Sequence, residues 1–171
     1  MARRVVCFDC DSTLTAIEGI DWLAERAGAG REVEALTRRA MDGEISLESV
    51  YAERLAIVRP TPDDLAALAR AYIVHAVEDA RETLAALAAG GIEPWIVSGG
   101  LLEAVQPFAA WLGVDAAQVL AVPVQWSDPD PWAAAAAHPL ASTGGKRLAL
   151  ERLAEDAEVT LVGDGASDAA A

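Results

Sequence analysis

The chain has 171 residues, 53% hydrophobic and 23% charged, which is enough for one buried core but short for two full domains. Its 13 lysines and arginines against 27 aspartates and glutamates give a formal charge of −14, which argues against binding to a nucleic-acid backbone. No apolar run approaches the roughly 20 residues that cross a bilayer, and the N-terminus lacks the pattern of a secretory signal. We therefore expect a cytoplasmic protein that binds neither nucleic acid nor membrane.

Three short apolar runs indicate buried strands of a parallel sheet. They span residues 4–8 (RVVCF), 92–97 (IEPWIV) and 159–162 (VTLV). Each leads into a polar turn, with the sequences DCDST, SGG and GDGASD. Because open α/β sheets bind ligands at the carboxyl ends of their strands, we expect the three turns to meet in one crevice.

About 80 residues of helical pattern separate the first two strands. Apolar residues recur there at spacings of three and four in four segments: 17–27, 31–41, 47–58 and 62–74. Such an insertion is too long for a simple crossover. We predict a helical cap over residues 16–75 and an α/β core formed by residues 1–15 and 76–171.

The rest of the predicted core contains fewer clear signals. A helix is predicted near 78–89, ending at two glycines, and residues 118–126 could form another strand. The DPDP stretch with the alanines at 133–137 is interpreted as a loop. A further helix is predicted from Lys146 through Glu155, just before the last strand.

Cys7 and Cys10 form a C-x-x-C spacing, which could indicate a redox pair or half of a zinc site. No second cysteine pair or paired histidine follows. Residues three apart in an extended segment also point to opposite faces, so the two thiols would not converge. We interpret both cysteines as structural.

Carboxylates are concentrated at the ends of the first and last predicted strands. The D-x-D pattern places Asp9 and Asp11 on one side of the chain, although a polar turn would look the same. The last turn supplies Asp164 and Asp168, of which Asp168 could instead be a helix cap. Carboxylates that converge in one cleft repel each other, and a hard divalent cation such as Mg²⁺ would resolve that repulsion.

Three further positions are candidates for binding an anion. Ser98 and Gly99 lie where a strand is predicted to pass into a helix, which either forms an anion site or is a plain connection. Lys146 follows two glycines at a helix start and could equally be a surface lysine. Arg54 lies on the apolar stripe of its helix, so it either meets an anionic ligand or is a structural arginine that snorkels to solvent or pairs with a nearby glutamate.

Taken in order, these motifs resemble a known family. FDCDSTLT, the Ser-Gly-Gly, the lysine before the last strand and GDGASD are similar to the four motifs of haloacid dehalogenase phosphatases. The segments EGID from Glu18, MDGEIS from Met41 and ERLAIVRP around Arg54 resemble the phosphoserine phosphatase branch of that family.

The resemblance implies a Rossmann-like α/β core with an inserted helical cap, acting on phosphoserine as a small-molecule partner. It implies that Asp9 forms an aspartyl phosphate while Asp11 acts as general acid and then as general base. By the same resemblance, Mg²⁺ is predicted to be bound by Asp9, Asp164 and the backbone carbonyl of Asp11. The phosphate is predicted to be bound by Ser98, Gly99 and Lys146, and the serine part of the substrate to contact Glu18, Met41 and Arg54. Gly165 and Asp168 are predicted to support the site.

Some features depart from the family pattern. Leu47 stands where the family often has an aromatic residue, and the chain stops three residues beyond Asp168, whereas the family continues with further elements. We therefore expect a C-terminally truncated core in which Asp168 lies in a fraying end. Other interpretations are a different small-molecule phosphatase or phosphotransferase of the family, or an inactive fragment. A signalling receiver domain is less consistent with a D-x-D on the first strand and a cap.

Overall fold

The computed structural model describes residues 3–41, 44–169 and 171. Within them, four parallel strands form one sheet in the order β3-β2-β1-β4. The strands are β1 (Arg3–Phe8), β2 (Glu93–Leu101), β3 (Val119–Val122) and β4 (Ala157–Val162). Phe8 is level with Ile96 of β2 and with Val162 of β4, so the turns after these strands start close together. The predicted α/β fold with a parallel sheet is confirmed.

The described chain has nine α-helices, eight of which lie between strands and one of which follows β4. They are α1 (Gly19–Arg26), α2 (Gly30–Met41), α3 (Leu47–Val58), α4 (Pro62–Val74), α5 (Ala80–Ala89), α6 (Leu102–Leu112), α7 (Pro131–Ala136), α8 (Gly145–Leu153) and α9 (Ala166–Ala169). None of the described helices is long and apolar enough to cross a membrane.

The bounds of α3 and α4 are those predicted from the sequence, because their ends are fixed locally. Ser46 accepts a hydrogen bond from the amide of Ser49 at the start of α3. Thr61 and Asp64 form a reciprocal capping box at the start of α4, where Pro62 occupies the first turn.

Helices α1 to α4 leave and rejoin the rest of the chain at one place. Thr15 and Ala76 form an isolated antiparallel bridge, and the amide of Ala16 donates to the carbonyl of His75 at 2.8 Å. The insertion is also anchored further along, because the Tyr72 ring of α4 packs against Phe108 of α6 with centroids 5.6 Å apart. The division of the chain into core and cap stays a prediction.

Two assignments made from the sequence are wrong. Residues 133–137, interpreted as a loop, lie largely in α7, which Asp130 caps by accepting from the amide of Ala133. Trp132 of α7 is buried and meets Trp126 edge to face at 5.5 Å. The alanine run carried no apolar periodicity, so this packing was not visible in the sequence.

The second misassignment concerns the end of β2. The strand continues through Ser98, Gly99 and Gly100 to Leu101, and α6 begins only at Leu102. Pairing with β3 is interrupted after Val97 and resumes at Leu101, as in a β-bulge. The bulge carries the chain past the expected turn, so the Ser-Gly-Gly segment is not a strand-to-helix junction.

The core around the sheet is apolar, and both Cys7, in β1, and Cys10, in the turn after β1, belong to that core. Val5, Cys7, Ile96 and Val97 are buried. Cys7 and Cys10 are free, and burial raises the pKa of both thiols, which makes reactive thiolates unfavourable. At the sheet edge, by contrast, Val162 of β4 is 40% exposed.

Candidate active site

A cavity of about 390 Å³ lies at the carboxyl ends of β1, β2 and β4, and residues of α1 to α4 line its other side. The structure brings most of the predicted site residues to its wall: Asp9, Asp11, Glu18, Arg54, Ser98, Gly99, Lys146, Asp164 and Gly165. Asp168 lies behind Lys146, to which it is bound. The side chain of Met41 lies outside the described part of the structure, so its contact with substrate stays a prediction.

A buried lysine links two carboxylates at the floor of the cavity. The Nζ of Lys146 lies 2.6 Å from Oδ2 of Asp9 and 2.6 Å from Oδ1 of Asp168, and the residue is only 6% exposed. Burial alone would lower the pKa of Lys146, but the two carboxylates outweigh it and raise the pKa above its ordinary value. Lys146 therefore stays charged and is not a surface lysine.

Asp9 is fixed from two sides. Its Oδ1 accepts the amide of Cys10 at 2.7 Å, while Oδ2 meets Lys146. Burial raises the pKa of Asp9, and the Lys146 ammonium acts in the opposite direction by favouring the carboxylate. The side chain is thus held in one orientation at the mouth of the sheet, next to a fixed positive charge.

Asp168 is better fixed than the sequence suggested. Its side chain is 5% exposed, and its Oδ2 accepts the amide of Gly165 at 3.0 Å in addition to the Lys146 contact. A Cβ placed on Gly163 would lie 2.4 Å from the carboxyl carbon of Asp168, so glycine is needed at that position. These contacts, rather than the length of α9, hold the carboxylate.

Three of these carboxylates form a cluster suited to a divalent cation. Asp9, Asp164 and Asp168 each present one oxygen, and these oxygens lie within 4.8 Å of one another. Thr13 supports the cluster by donating its hydroxyl to Oδ1 of Asp164 at 3.2 Å. Among these groups, the single positive charge of Lys146 faces three negative charges, so a bound cation would reduce the remaining repulsion. A site whose ligand atoms are all oxygens suits a hard cation. The carboxylate of Asp11 is not in this cluster.

Asp11 has a different environment from Asp9. Its Oδ1 accepts the amide of Gly19, at the start of α1, at 3.1 Å, and its Oδ2 lies on the side of Gly100. Burial, with added repulsion from Glu18 and Asp9, raises the pKa of Asp11 from 3.8 to about 7. Asp11 can therefore hold a proton near neutral pH, while Lys146 favours the carboxylate form of the neighbouring Asp9. One protonated and one ionised carboxyl group side by side is the arrangement that acid–base chemistry needs.

The Ser-Gly-Gly segment forms the side wall of the cavity. Ser98 is fully buried, and its hydroxyl oxygen accepts the amide of Gly100 at 2.9 Å. We expected the N-terminus of a helix next to Ser98, but α6 begins only at Leu102. The positive end of its helix dipole is therefore not at Ser98. The serine hydroxyl hydrogen remains a polar group that this wall can offer to an anion.

The far side of the cavity is formed by the insertion. Arg54 donates from Nη2 to the hydroxyl of Thr37 on α2, while its buried Nε has no hydrogen-bond partner among the described residues. The alternative that Arg54 pairs with a nearby glutamate is not seen in the described chain, where its partner is Thr37. Glu18 is exposed at the cavity wall and accepts the hydroxyl of Ser12.

Five polar residues that line this cavity were not predicted from the sequence: Thr37, Tyr51, Tyr72, Ser142 and Thr143. The hydroxyl of Tyr51, on α3, donates to the carbonyl of Gly99 at 2.9 Å, which ties the insertion to the end of β2. Its position three residues before Arg54 places it on the same helix face, and that spacing was the available signal. Thr37 and Tyr72 gave no comparable signal in their own helices.

Comparison with known proteins gives a consistent picture. A family profile described as haloacid dehalogenase-like hydrolase matches residues 3–171. Phosphoserine phosphatase from Rattus norvegicus is 32% identical over 167 residues, covering 95% of this chain and 74% of the relative. A phosphoserine phosphohydrolase-like protein from Francisella tularensis superimposes with a TM-score of 0.78 at 27% identity, covering 98% of this chain and 81% of that one. A phosphoserine phosphatase solved as a phospho-aspartyl intermediate analogue gives a TM-score of 0.75 at 28% identity, covering 99% and 81%.

Proposed function

Because the chain belongs to the haloacid dehalogenase-like hydrolases, we propose that it hydrolyses a phosphomonoester and that its substrate is O-phospho-L-serine. The observation that carries the substrate assignment is the state of Arg54. Its guanidinium lines the same cavity as Asp9 and Lys146, and its buried Nε lacks a partner among the described residues. Arg54 is half-buried, and its guanidinium meets no carboxylate in the described chain, so a ligand carboxylate is the anion we assign to it.

A phosphorylated amino acid satisfies both ends of the cavity. Its phosphate would bind beside Asp9, Lys146 and Ser98, and its carboxylate would pair with Arg54. Glu18 would then accept its ammonium group. The relatives that are named phosphoserine phosphatases support this choice over a phosphate without an amino-acid part.

The proposed reaction has two steps, both on residues already in place. The Asp9 carboxylate attacks phosphorus, the bond from phosphorus to the serine oxygen breaks, and Asp11 gives its proton to that oxygen. Asp11, now ionised, takes a proton from water as the water oxygen attacks the aspartyl phosphate, which releases phosphate and restores Asp9. The pKa of Asp11 near 7 supports its use as acid and then as base.

We further propose that the divalent cation is Mg²⁺, held by the carboxylates of Asp9 and Asp164 and by the backbone carbonyl of Asp11. The cluster of carboxylate oxygens supports a cation at this place. When bound, such an ion offsets the negative charge of the phosphate and of the attacking carboxylate. Asp168 and Gly165 would support the site through the hydrogen bond between them.

The helical insertion, residues 16–75, is proposed to act as the cap over this reaction. It supplies Glu18, Thr37, Tyr51 and Arg54 to the cavity, and the hydrogen bond from Tyr51 to Gly99 holds it over the end of β2. Water would be excluded from the aspartyl phosphate until the serine has left. The cytoplasmic location stays a prediction from the sequence.

The experiment compares Arg54→Ala with wild type on two substrates, phosphoserine and a simple aryl phosphate, with Mg²⁺ present. Loss of a buried ionic contact should cost about 2–5 kcal/mol in kcat/KM for phosphoserine and far less for the aryl phosphate, which has no carboxylate. Arg38→Ala is the matched control, since Arg38 lies on the insertion but is exposed. Equal losses on both substrates would contradict the assignment of the serine carboxylate to Arg54.

A panel of phosphorylated metabolites tests the rival interpretation, another small-molecule phosphatase of the same family. A clear preference for a phosphate other than phosphoserine would replace the substrate. Asp9→Asn tests the chemistry separately, because asparagine cannot form the acyl phosphate. Near-normal phosphate release by that variant would refute the proposed mechanism.

A further inference from the structure

Tyr72 presents a buried hydroxyl that the proposed mechanism does not use. The residue lies on α4, is 0% exposed and lines the cavity beside Asp11. Its hydroxyl has no hydrogen-bond partner that meets normal geometry among the described residues. A buried hydroxyl without a partner is unfavourable, so it should be satisfied by a group within reach.

The position of this hydroxyl is closely defined. A Cβ built on Gly19 would lie 2.1 Å from the Tyr72 hydroxyl oxygen, which shows that the hydroxyl packs directly against Gly19. The ring is held from behind by Phe108, and the backbone carbonyl of Tyr72 accepts the hydroxyl of Thr15 at 3.4 Å. Tyr72 is therefore a fixed wall of the site rather than a mobile side chain.

The group within reach is the carboxyl of Asp11. The amide of Gly19, against which the Tyr72 hydroxyl packs, donates to Oδ1 of Asp11 at 3.1 Å. Burial raises the pKa of Asp11, and the neighbouring Tyr72 hydroxyl acts in the opposite direction, as a donor beside the carboxylate does. The hydroxyl therefore lies beside the Asp11 carboxyl, and its contact with Gly19 puts it near the amide that donates to Oδ1.

The two oxygens of Asp11 thus face different surroundings. Oδ1 points toward Gly19 and the insertion, whereas Oδ2 lies on the side of Gly100, where the end of β2 forms the cavity wall. A carbonyl-type oxygen has two lone pairs, and the Gly19 amide uses one of those on Oδ1. The second is free to accept from Tyr72.

We propose that Tyr72 is a positioning residue whose hydroxyl donates a hydrogen bond to Oδ1 of Asp11. With Oδ1 held by Tyr72 and Gly19, the acidic proton resides on Oδ2 and faces the oxygen of the leaving group. This inference rests on the proposed function, because it assigns Asp11 the role of general acid. In this role Tyr72 acts through Asp11 and not directly on the phosphate or the leaving group.

The kinetic test is Tyr72→Phe, which removes only the hydroxyl. We expect about a tenfold loss in kcat/KM for phosphoserine, whose alkoxide must be protonated as it leaves, corresponding to one lost hydrogen bond. For p-nitrophenyl phosphate, whose leaving group needs little protonation, the loss should stay below about twofold. Equal losses on both substrates would overturn the inference, since a merely structural tyrosine would not distinguish leaving groups.

Phe108→Leu is the matched control for loosening this part of the core. Phe108 packs on the Tyr72 ring but is not among the residues that line the cavity. It should lower the melting temperature and change kcat/KM for the two substrates by the same factor. A selective loss on phosphoserine in this variant would show that packing alone explains the result for Tyr72, and would also overturn the inference.

A second test does not depend on catalysis. Melting temperatures of the full chain are measured for Tyr72→Phe, Asp11→Ala and the double variant. If the hydroxyl and the carboxyl are bonded, the shift of the double variant should differ from the sum of the two single shifts, whatever the sign of each. Additive shifts would overturn the inference whatever the kinetics show. If wild type hydrolyses neither substrate, the proposed function fails, and this cycle alone decides whether Tyr72 holds Asp11.

Discussion

Replacing Asp11 with asparagine should stabilise the metal-free protein, and more so as the pH rises. The asparagine side chain would keep an oxygen for the Gly19 amide but carry no charge. In the wild type, the folded state raises the pKa of Asp11 from 3.8 to about 7. Between these values the folded chain holds a proton that the unfolded chain has lost, so stability falls as the pH rises through this window.

The size of the effect follows from that shift. A rise of about three units at 1.36 kcal/mol per unit sets a ceiling of about 4 kcal/mol at pH 8. Asp11 is only partly buried, and water in the cavity should reduce the gain to about 1–3 kcal/mol. Measurements should start near pH 5.5, well above the isoelectric point of about 4.4, where the protein has no net charge and tends to associate. Less than half of the interval between the unfolded and folded pKa values of Asp11 lies above pH 5.5.

The assay is urea unfolding of both proteins with a chelator present, at pH 5.5, 6.5, 7.5 and 8. Glu158→Gln serves as the control, because it removes one negative charge from an exposed position of the same −14 chain. The difference in unfolding free energy between Asp11→Asn and wild type should grow by about 1–2 kcal/mol from pH 5.5 to pH 8. The difference between Glu158→Gln and wild type should stay constant over that range. A variant that is less stable than wild type at pH 8, or a difference that does not change with pH, would refute the reasoning.

Three further predictions concern contacts around the site. Lys146→Met should lower the unfolding free energy in urea titrations without metal by about 3–5 kcal/mol, because it leaves Asp9 and Asp168 buried without a cation. Added Mg²⁺ should recover part of the loss, and an unchanged urea midpoint would contradict this prediction. Tyr51→Phe should cost about 0.5–1.5 kcal/mol by removing the hydrogen bond to Gly99, measured by the same titration, and a neutral result would show that water replaces the hydroxyl. Thr61→Ala should cost about 1 kcal/mol by removing the side-chain cap of α4, and Thr61→Ser, which keeps the hydroxyl, should restore most of the thermal stability; equal melting temperatures for the two variants would count against the cap.

Much of the fold followed from local patterns. β1 and β4 appear in the sequence as apolar runs that end in polar turns, and the structure places them side by side with their ends level. The helices α3 and α4 begin and end at the predicted residues, because Ser46 and Thr61 fix their starts within a few residues of chain. Elements that depend on short-range periodicity and caps could be predicted for that reason.

Elements that depend on distant packing could not. The helix α7 has a contact between Trp132 and Trp126 in addition to its cap, and an alanine run shows no periodicity that would predict the helix. The continuation of β2 through Gly99 depends on a bulge against β3, which is a property of two strands and not of one. Both segments were misassigned because their structure depends on contacts with another segment, which the local sequence pattern does not contain.

The same division holds for the site. The sequence alone placed Asp9, Asp11 and Asp164 at the carboxyl ends of strands, because a buried strand followed by a polar turn puts its last side chains at the mouth of a parallel sheet. Only the tertiary structure decided what surrounds them. It places Lys146 between Asp9 and Asp168, leaves the Nε of Arg54 without a partner in the described chain, and packs the Tyr72 hydroxyl against Gly19. Charge pairing, burial and the resulting pKa of Asp11 arise where several separate segments meet, and no spacing along one segment encodes them.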